Sequence, residues 1–300
     1  MTKIVSFVFI SILFLTACNS SNKNKTEIKN KIEKELEINE NLVDDLNKAK
    51  QVFYTLPSPI ETAMLIKRAG VTYNEKLLNS PDNINNYTTT RDRALNLGVY
   101  GADLSYASLF SQTQTTIQYM SVSKKIADEM GILDFLNAGF LDRLEKNINN
   151  RDSSLTIITD GFMNSNAYLK EAGQPEIAAL IIAGGWLEGL YIATELAKES
   201  PNNNELIDRI IDQKISLATL MSLLKDYDDN KDVNYIFNLL ADIQKIFNEV
   251  QIVTSKVEPV TNNENNVTTL QAKSEVFISD DIFNRLCTKV DSVRNIVTGI

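Results

Sequence analysis

This chain of 300 residues contains no histidine. That excludes Ser-His-Asp and Cys-His catalysis, His-ligated zinc and pH sensing by imidazole. Cysteine is nearly as scarce, with Cys18 and Cys287 alone, so no disulfide framework staples the fold. Cys287 lies on an apolar helical stretch beside Phe283 and Val290 and reads as a small core residue. An excess of positive charge is also missing. The net charge is −9, and it falls to −10 when Lys3 is lost with residues 1–17. Such an acidic balance argues against nucleic acid as a partner and against polybasic membrane contact.

Proline is limited to six positions: Pro57, Pro59, Pro81, Pro175, Pro201 and Pro259. All six fall at the edges of helical segments, and none sits in an interior, where it would cost about 3 kcal/mol. Convincing alternation of apolar and polar residues is absent. Leu155 to Thr159 and Phe277 to Ser279 are the only short strand candidates. No GxSxG, phosphate loop, GxGxxG or paired CxxC occurs, and no repeat of 20 to 50 residues is visible.

What the chain has in abundance is helix-forming text, organised around Ala178 to Ala197. Ile177 to Leu187 is apolar or glycine throughout, followed by one carboxylate, Glu188. A segment apolar on nearly every face predicts a helix with neighbours all round it. It holds the single tryptophan, Trp186, and three glycines, Gly184, Gly185 and Gly189. Glycine costs about 1 kcal/mol against alanine in a helix, so close approach of a second helix should offset it. Ala94, Gly98, Gly101, Ser105 and Ser108 recur at helical spacing and make one stripe of small residues. That stripe is the natural partner of the three glycines.

Other helices are punctuated by their ends. Ser58-Pro59-Ile60-Glu61 is a capping box, and Gly70 stops the helix that follows. A loop runs to Tyr87. Thr89-x-x-Asp92 opens a long helical stretch to about Val122. Further helices are predicted over 123–130, 137–149, 152–172, 175–199, 204–225 and 233 to about 257. Residues 258–275 read as a polar linker without periodicity. Asp280 to Thr298 is amphipathic, with Ile282, Leu286, Val290, Val293 and Val297 on one face. The fold class is therefore all-α, a multi-helix bundle or orthogonal array, with residues 51–257 as the helical core and 276–300 as a C-terminal helix packed on it.

Residues 1–17 carry a different signal. Lys3 precedes a twelve-residue apolar run, Ile4 to Leu15, too short to span a bilayer and patterned as an export signal. Leu15-Thr16-Ala17-Cys18 follows and resembles the lipobox of bacterial lipoproteins. The resemblance implies cleavage before Cys18, a thioether-linked diacylglycerol on its sulfur and acylation of the new terminus. Residues 18–50 then form a lipidated tether, polar over Asn19 to Lys25, and a charged helix over Thr26 to Lys50. By the sorting rules of the family it resembles, Asn19 after the cysteine, with the next acidic residue at Glu27, implies the periplasmic leaflet of an outer membrane. The mature region is similar to uncharacterised helical lipoproteins of bacterial envelopes, which implies no activity.

One constellation suggests chemistry. Asp103 has Tyr100 and Tyr106 at −3 and +3, and Glu188 has Tyr191 at +3. Two carboxylates on the two most apolar helices could perform acid–base work if buried together. A satisfied network, with tyrosine hydroxyls or with Arg91, Arg93 or Arg143, is the competing expectation. Tyr100, Tyr106, Trp186 and Tyr191 are the ligand-contact candidates. Asp226-x-Asp228-x-Asn230-x-Asp232 resembles the start of an EF-hand loop, but Lys231 replaces its glycine and Phe237 its bidentate glutamate. No metal and no cofactor are expected. The sequence thus points to a lipid-anchored envelope protein, a non-catalytic scaffold for an envelope partner. Alternatives are a binding module for an apolar or elongated ligand, or an enzyme using Asp103 and Glu188.

Overall fold

The computed structural model describes residues 71–300, apart from 134–137, 255–257, 263–266 and 272–273. The signal, Cys18, the tether and the helix expected over 57–70 lie outside the described residues.

The fold is all-α. Two 3-10 turns, Glu75–Leu77 and Pro81–Asn86, lie in an N-terminal strap over 71–89. Eight α-helices follow among the described residues: α1 (Thr90–Leu109), α2 (Thr113–Glu129), α3 (Ala138–Asn147), α4 (Arg151–Glu171), α5 (Pro175–Glu199), α6 (Asn204–Lys225), α7 (Lys231–Phe247) and α8 (Asp280–Thr298). Their starts are set by short polar side chains. Thr89, Asn150, Asn203, Asn230 and Ser279 each accept a hydrogen bond from a backbone N–H of the first turn. Each such cap contributes about 1 kcal/mol.

The ends follow one geometry four times. Gly131, Gly173 and Gly299 have φ near +70°, and Ser111 has φ 57°. In each case the following residue donates its N–H back across the last turn: Ile132 to Ala127, Gln174 to Leu169, Ile300 to Asn295 and Gln112 to Ala107, at 2.8–3.0 Å. This is the Schellman stop, in which the left-handed position favours glycine. Ser111 occupies it without glycine's freedom. The helix expected from Thr89 to about Val122 therefore breaks at 110–112, and the boundary expected at 122–123 lies inside α2.

α5 is the axis. It packs against α1, α4, α6, α7 and α8, which explains its lack of a polar face. By length and composition Pro175–Glu199 could cross a membrane, but 72% of its most apolar window is buried inside the protein. Its closest neighbour is α1. A Cβ on Gly98 would overlap the Ile181 carbonyl oxygen, and one on Gly184 would overlap the Leu95 carbonyl oxygen. The stripe does meet the glycines of α5, at Gly98 and Gly184. Gly185 is less tight, with a Cβ position 3.3 Å from the Gly98 oxygen, and Gly189 is exposed with nothing near it.

The largest departure from expectation lies between α7 and α8. α7 ends at Phe247 rather than near Val257, and the stretch expected as a linker contains strands. β1 (Gln251–Thr254) pairs antiparallel with β4 (Ser274–Phe277), and β2 (Glu258–Asn262) pairs antiparallel with β3 (Val267–Gln271). The register is nested, Gln251 opposite Phe277 and Asn262 opposite Val267. Val, Ile and Thr are concentrated here, and their branched Cβ favours extended backbone over helix. Of the two strand candidates, Leu155 to Thr159 is helical within α4, while Phe277 closes β4.

Candidate functional site

The two predicted carboxylates are brought together. Asp103 on α1 and Glu188 on α5 are both 0% exposed, and each perturbs the other's ionisation. Their helices meet at the Gly98–Gly184 crossing, so the small side chains that let the backbones touch also set the carboxylates side by side.

The cation that answers them comes from α8. Arg294, 4% exposed, donates from Nε to Glu188 Oε2 at 3.1 Å and from Nη2 to Glu188 Oε1 at 3.1 Å. Nη2 also donates to the Leu77 carbonyl at 3.4 Å. The guanidinium lies 4.6 Å from the centre of the Tyr191 ring, a cation–π arrangement that occupies its flat face. A two-point arginine–carboxylate pair is the geometry that best compensates desolvation.

One arginine cannot neutralise two carboxylates. Burial raises the Asp103 pKa well above the usual carboxylate range, and the Glu188 charge raises it further, against the opposing pull of Arg294. For Glu188 burial also raises, but Arg294 pulls down through both charge and hydrogen bonds. Asp103 is therefore the protonated member. Its Oδ2 accepts the Asn79 backbone N–H at 3.2 Å, and its Oδ1 has no hydrogen-bond partner among the described residues. Protonated, Asp103 is the donor of the carboxyl–carboxylate pair with Glu188. The cluster of Asp103-H, Glu188⁻ and Arg294⁺ is neutral as a whole.

The strap closes the cluster, touching Asp103 through Asn79 and Arg294 through Leu77. Asn79, fully buried, uses every polar group it has. Its N–H goes to Asp103, its carbonyl accepts the Tyr119 hydroxyl at 2.9 Å, its Nδ2 donates to the Tyr87 hydroxyl at 2.9 Å, and its Oδ1 accepts from Asn83 at 2.8 Å. The Tyr87 hydroxyl donates onward to the Thr298 carbonyl at 3.2 Å, and Asn96 donates to the Val297 carbonyl at 2.9 Å. The last turn of α8 is thus tied to both the strap and α1.

The tyrosines flanking Asp103 in sequence do not bond to it. The Tyr100 hydroxyl donates to the Ser80 carbonyl at 2.8 Å, and the Tyr106 hydroxyl accepts the Asn74 N–H at 3.0 Å. Tyr106 also stacks on Tyr73, with ring centres 5.1 Å apart. Burial raises the phenol pKa values of Tyr100, Tyr106 and Tyr119, and lifts that of Tyr73 to about 12. Trp186 is 1% exposed and its indole N–H finds no acceptor among the described residues.

The other sequence candidates lie elsewhere. Arg91 pairs with Asp92 at 3.1 Å and Asp232 at 3.8 Å, Arg93 with Glu129 at 3.2 Å, and Arg143 with Asp160 at 3.8 Å. These pairs are partly exposed and contribute little. In the loop resembling an EF-hand, Asn230 turns its side-chain oxygen to the α7 N-terminus as a cap. No three Cys, Asp or Glu side chains among the described residues gather closely enough to hold a metal ion.

Sequence reasoning missed Arg294 and Asn79. Arg294 left a trace, since it lies seven residues after Cys287 and four after Val290, on the apolar stripe of α8. A charged residue on such a stripe needs a buried partner of opposite charge. Asn79 left none, because its bonds to Asp103 and Tyr119 span 24 and 40 residues and its strap carries no periodic pattern. Comparison with known proteins finds no matching family model, no matching curated protein and no matching solved structure.

Proposed function

We propose that this chain is a lipid-anchored bacterial envelope protein whose helical domain works without catalysis, as a scaffold or accessory for a protein partner at the periplasmic face of the outer membrane. The observation that carries the reading is Leu15-Thr16-Ala17-Cys18 behind the apolar run Ile4 to Leu15. Two or three acyl chains on Cys18 would hold the domain stably at a bilayer, where one would not.

The geometry of the carboxylates supports the non-catalytic part. Asp103 and Glu188 are fully buried and face Arg294, Asn79 and each other, so each has a structural partner and neither presents a group to a substrate. A ligand held between α1 and α5 would have to part helices whose backbones touch at Gly98 and Gly184.

The test is metabolic labelling with palmitate, followed by fractionation of the membranes. The protein should carry label and partition with the outer membrane. Cys18→Ala should accumulate as unlabelled precursor. Processing of that variant to the wild-type mature size would overturn the anchor. Cross-linking of the anchored protein should return one reproducible envelope partner, and its absence would count against the scaffold.

A further inference from the structure

We propose that the Asp103–Glu188–Arg294 cluster is a proton-loaded latch for the C-terminal helix: at neutral pH, lifting α8 from the core releases the Asp103 proton to solvent.

The inference rests on how α8 is held. Leu286, Cys287, Val290, Val293, Arg294 and Val297 form its buried face. Arg294 is the one charge on that face, and it plugs into Glu188. The carbonyls of Val297 and Thr298 are bound by Asn96 and Tyr87. Upstream, α8 is joined to the core through the ribbon β1–β4, whose sheets are two-stranded. A two-stranded ribbon gives little independent stability, so α8 is restrained chiefly by its own buried face and by the exposed pairs Arg285–Glu249 and Lys289–Asp242. An element held through one face and a weak connection is one where local opening occurs.

Lifting α8 withdraws Arg294 and admits water to both carboxylates. In water Glu188 and Asp103 each ionise at neutral pH. The closed cluster holds one proton on Asp103 and the open one holds none, so each opening releases one proton and no covalent bond changes. The other groups facing Asp103 do not share this titration. They are Tyr100 on α1, Tyr119 on α2 and Tyr73 in the strap, and, facing Glu188 and Arg294, Tyr87 in the strap and Tyr191 on α5, all phenols shifted upward and neutral. Asn79 is uncharged. Opening therefore grows about tenfold for each pH unit above about 4, until the closed form itself loses the proton.

Cys287 is the built-in reporter. It lies two turns before Arg294 on the same face, 1% exposed, with its thiol pKa pushed up to about 11 by burial. A thiol reagent reaches it when α8 lifts. The experiment treats the full mature protein with iodoacetamide from pH 5 to 8 and measures the modified Cys287 peptide by mass, for wild type and Asp103→Asn. The thiolate fraction of the opened helix is common to both and cancels in the ratio. The ratio of wild-type to D103N rates should rise about tenfold per pH unit, with a urea dependence far shallower than that of global unfolding. A flat ratio, or a urea dependence as steep as global unfolding, would overturn the latch. Should D103N not fold, Glu188→Gln serves as reference. There Asp103 can ionise against Arg294, so opening releases no proton and the profile, corrected for thiolate, should be flat. A profile for E188Q as steep as that of wild type would equally overturn the proposal.

Discussion

Arg294 and Glu188 lie 106 residues apart in sequence and meet through two hydrogen bonds of 3.1 Å in a fully buried site. The pair joins the last helix to the central one. Removing one partner strands the other charge, whereas removing both leaves an apolar contact. Arg294→Ala should lower unfolding free energy by about 3–5 kcal/mol. Arg294→Met with Glu188→Leu should cost markedly less than the sum of the single changes. Urea denaturation of the four proteins at one pH gives the coupling, and additive losses would show that the pair is not a unit.

The contact of α1 with α5 makes a second, steric prediction. Gly98→Ala or Gly184→Ala places a Cβ on a carbonyl oxygen of the facing backbone. The backbone cannot rotate away as a side chain would, so each change should cost about 3 kcal/mol, the upper part of the overpacking range. Gly189→Ala, on the exposed side of α5 with nothing near it, should instead stabilise by about 0.5–1 kcal/mol through helix propensity. Thermal unfolding of the three variants separates the two outcomes.

Ser111 gives a third. It holds a left-handed conformation at a helix stop where Gly131, Gly173 and Gly299 stand in the equivalent places. Left-handed backbone costs a non-glycine residue about 1–2 kcal/mol. Ser111→Gly should therefore raise stability by up to about 1 kcal/mol, after allowing for glycine's larger unfolded-state entropy. A loss of stability on that change would mean that the serine side chain itself holds the turn.

These positions show what could be read in the chain before its structure. α5, α6 and α8 were bounded by their own signals, Pro175 and Pro201, Asn204 and Lys225, Asp280 and Thr298. The break at Ser111 was hidden because serine does not announce a left-handed residue. The ribbon between α7 and α8 was hidden because its strands are only four or five residues long and rich in threonine, with no alternation of apolar and polar residues to mark one face. Asp103 and Glu188 could be singled out as carboxylates in apolar text. Their partner could not be chosen among the arginines, since Arg294 is remote from both in sequence and the nearer Arg91 and Arg93 turn to Asp92, Asp232 and Glu129. The anchor at Cys18 rests on a sequence motif, and palmitate labelling addresses it independently of the helical domain.

The central claim is that Asp103 is a buried structural acid, protonated in the folded protein. Its folded-state pKa lies above the unfolded value of about 4. The native state then holds a proton that the unfolded state has lost. The associated stability is full below the unfolded pKa and is lost as pH rises toward the folded one, at about 1.4 kcal/mol per pH unit. An asparagine side chain does not titrate, so Asp103→Asn should lose that slope. Urea unfolding of wild type and D103N at pH 5 and pH 7 measures it most directly. The difference between them should move in favour of D103N on going from pH 5 to pH 7, with the variant at least as stable as wild type at the higher pH. A difference that does not change with pH, or moves in favour of wild type, would show Asp103 to be ionised in the folded protein and would contradict the structural reading of the site.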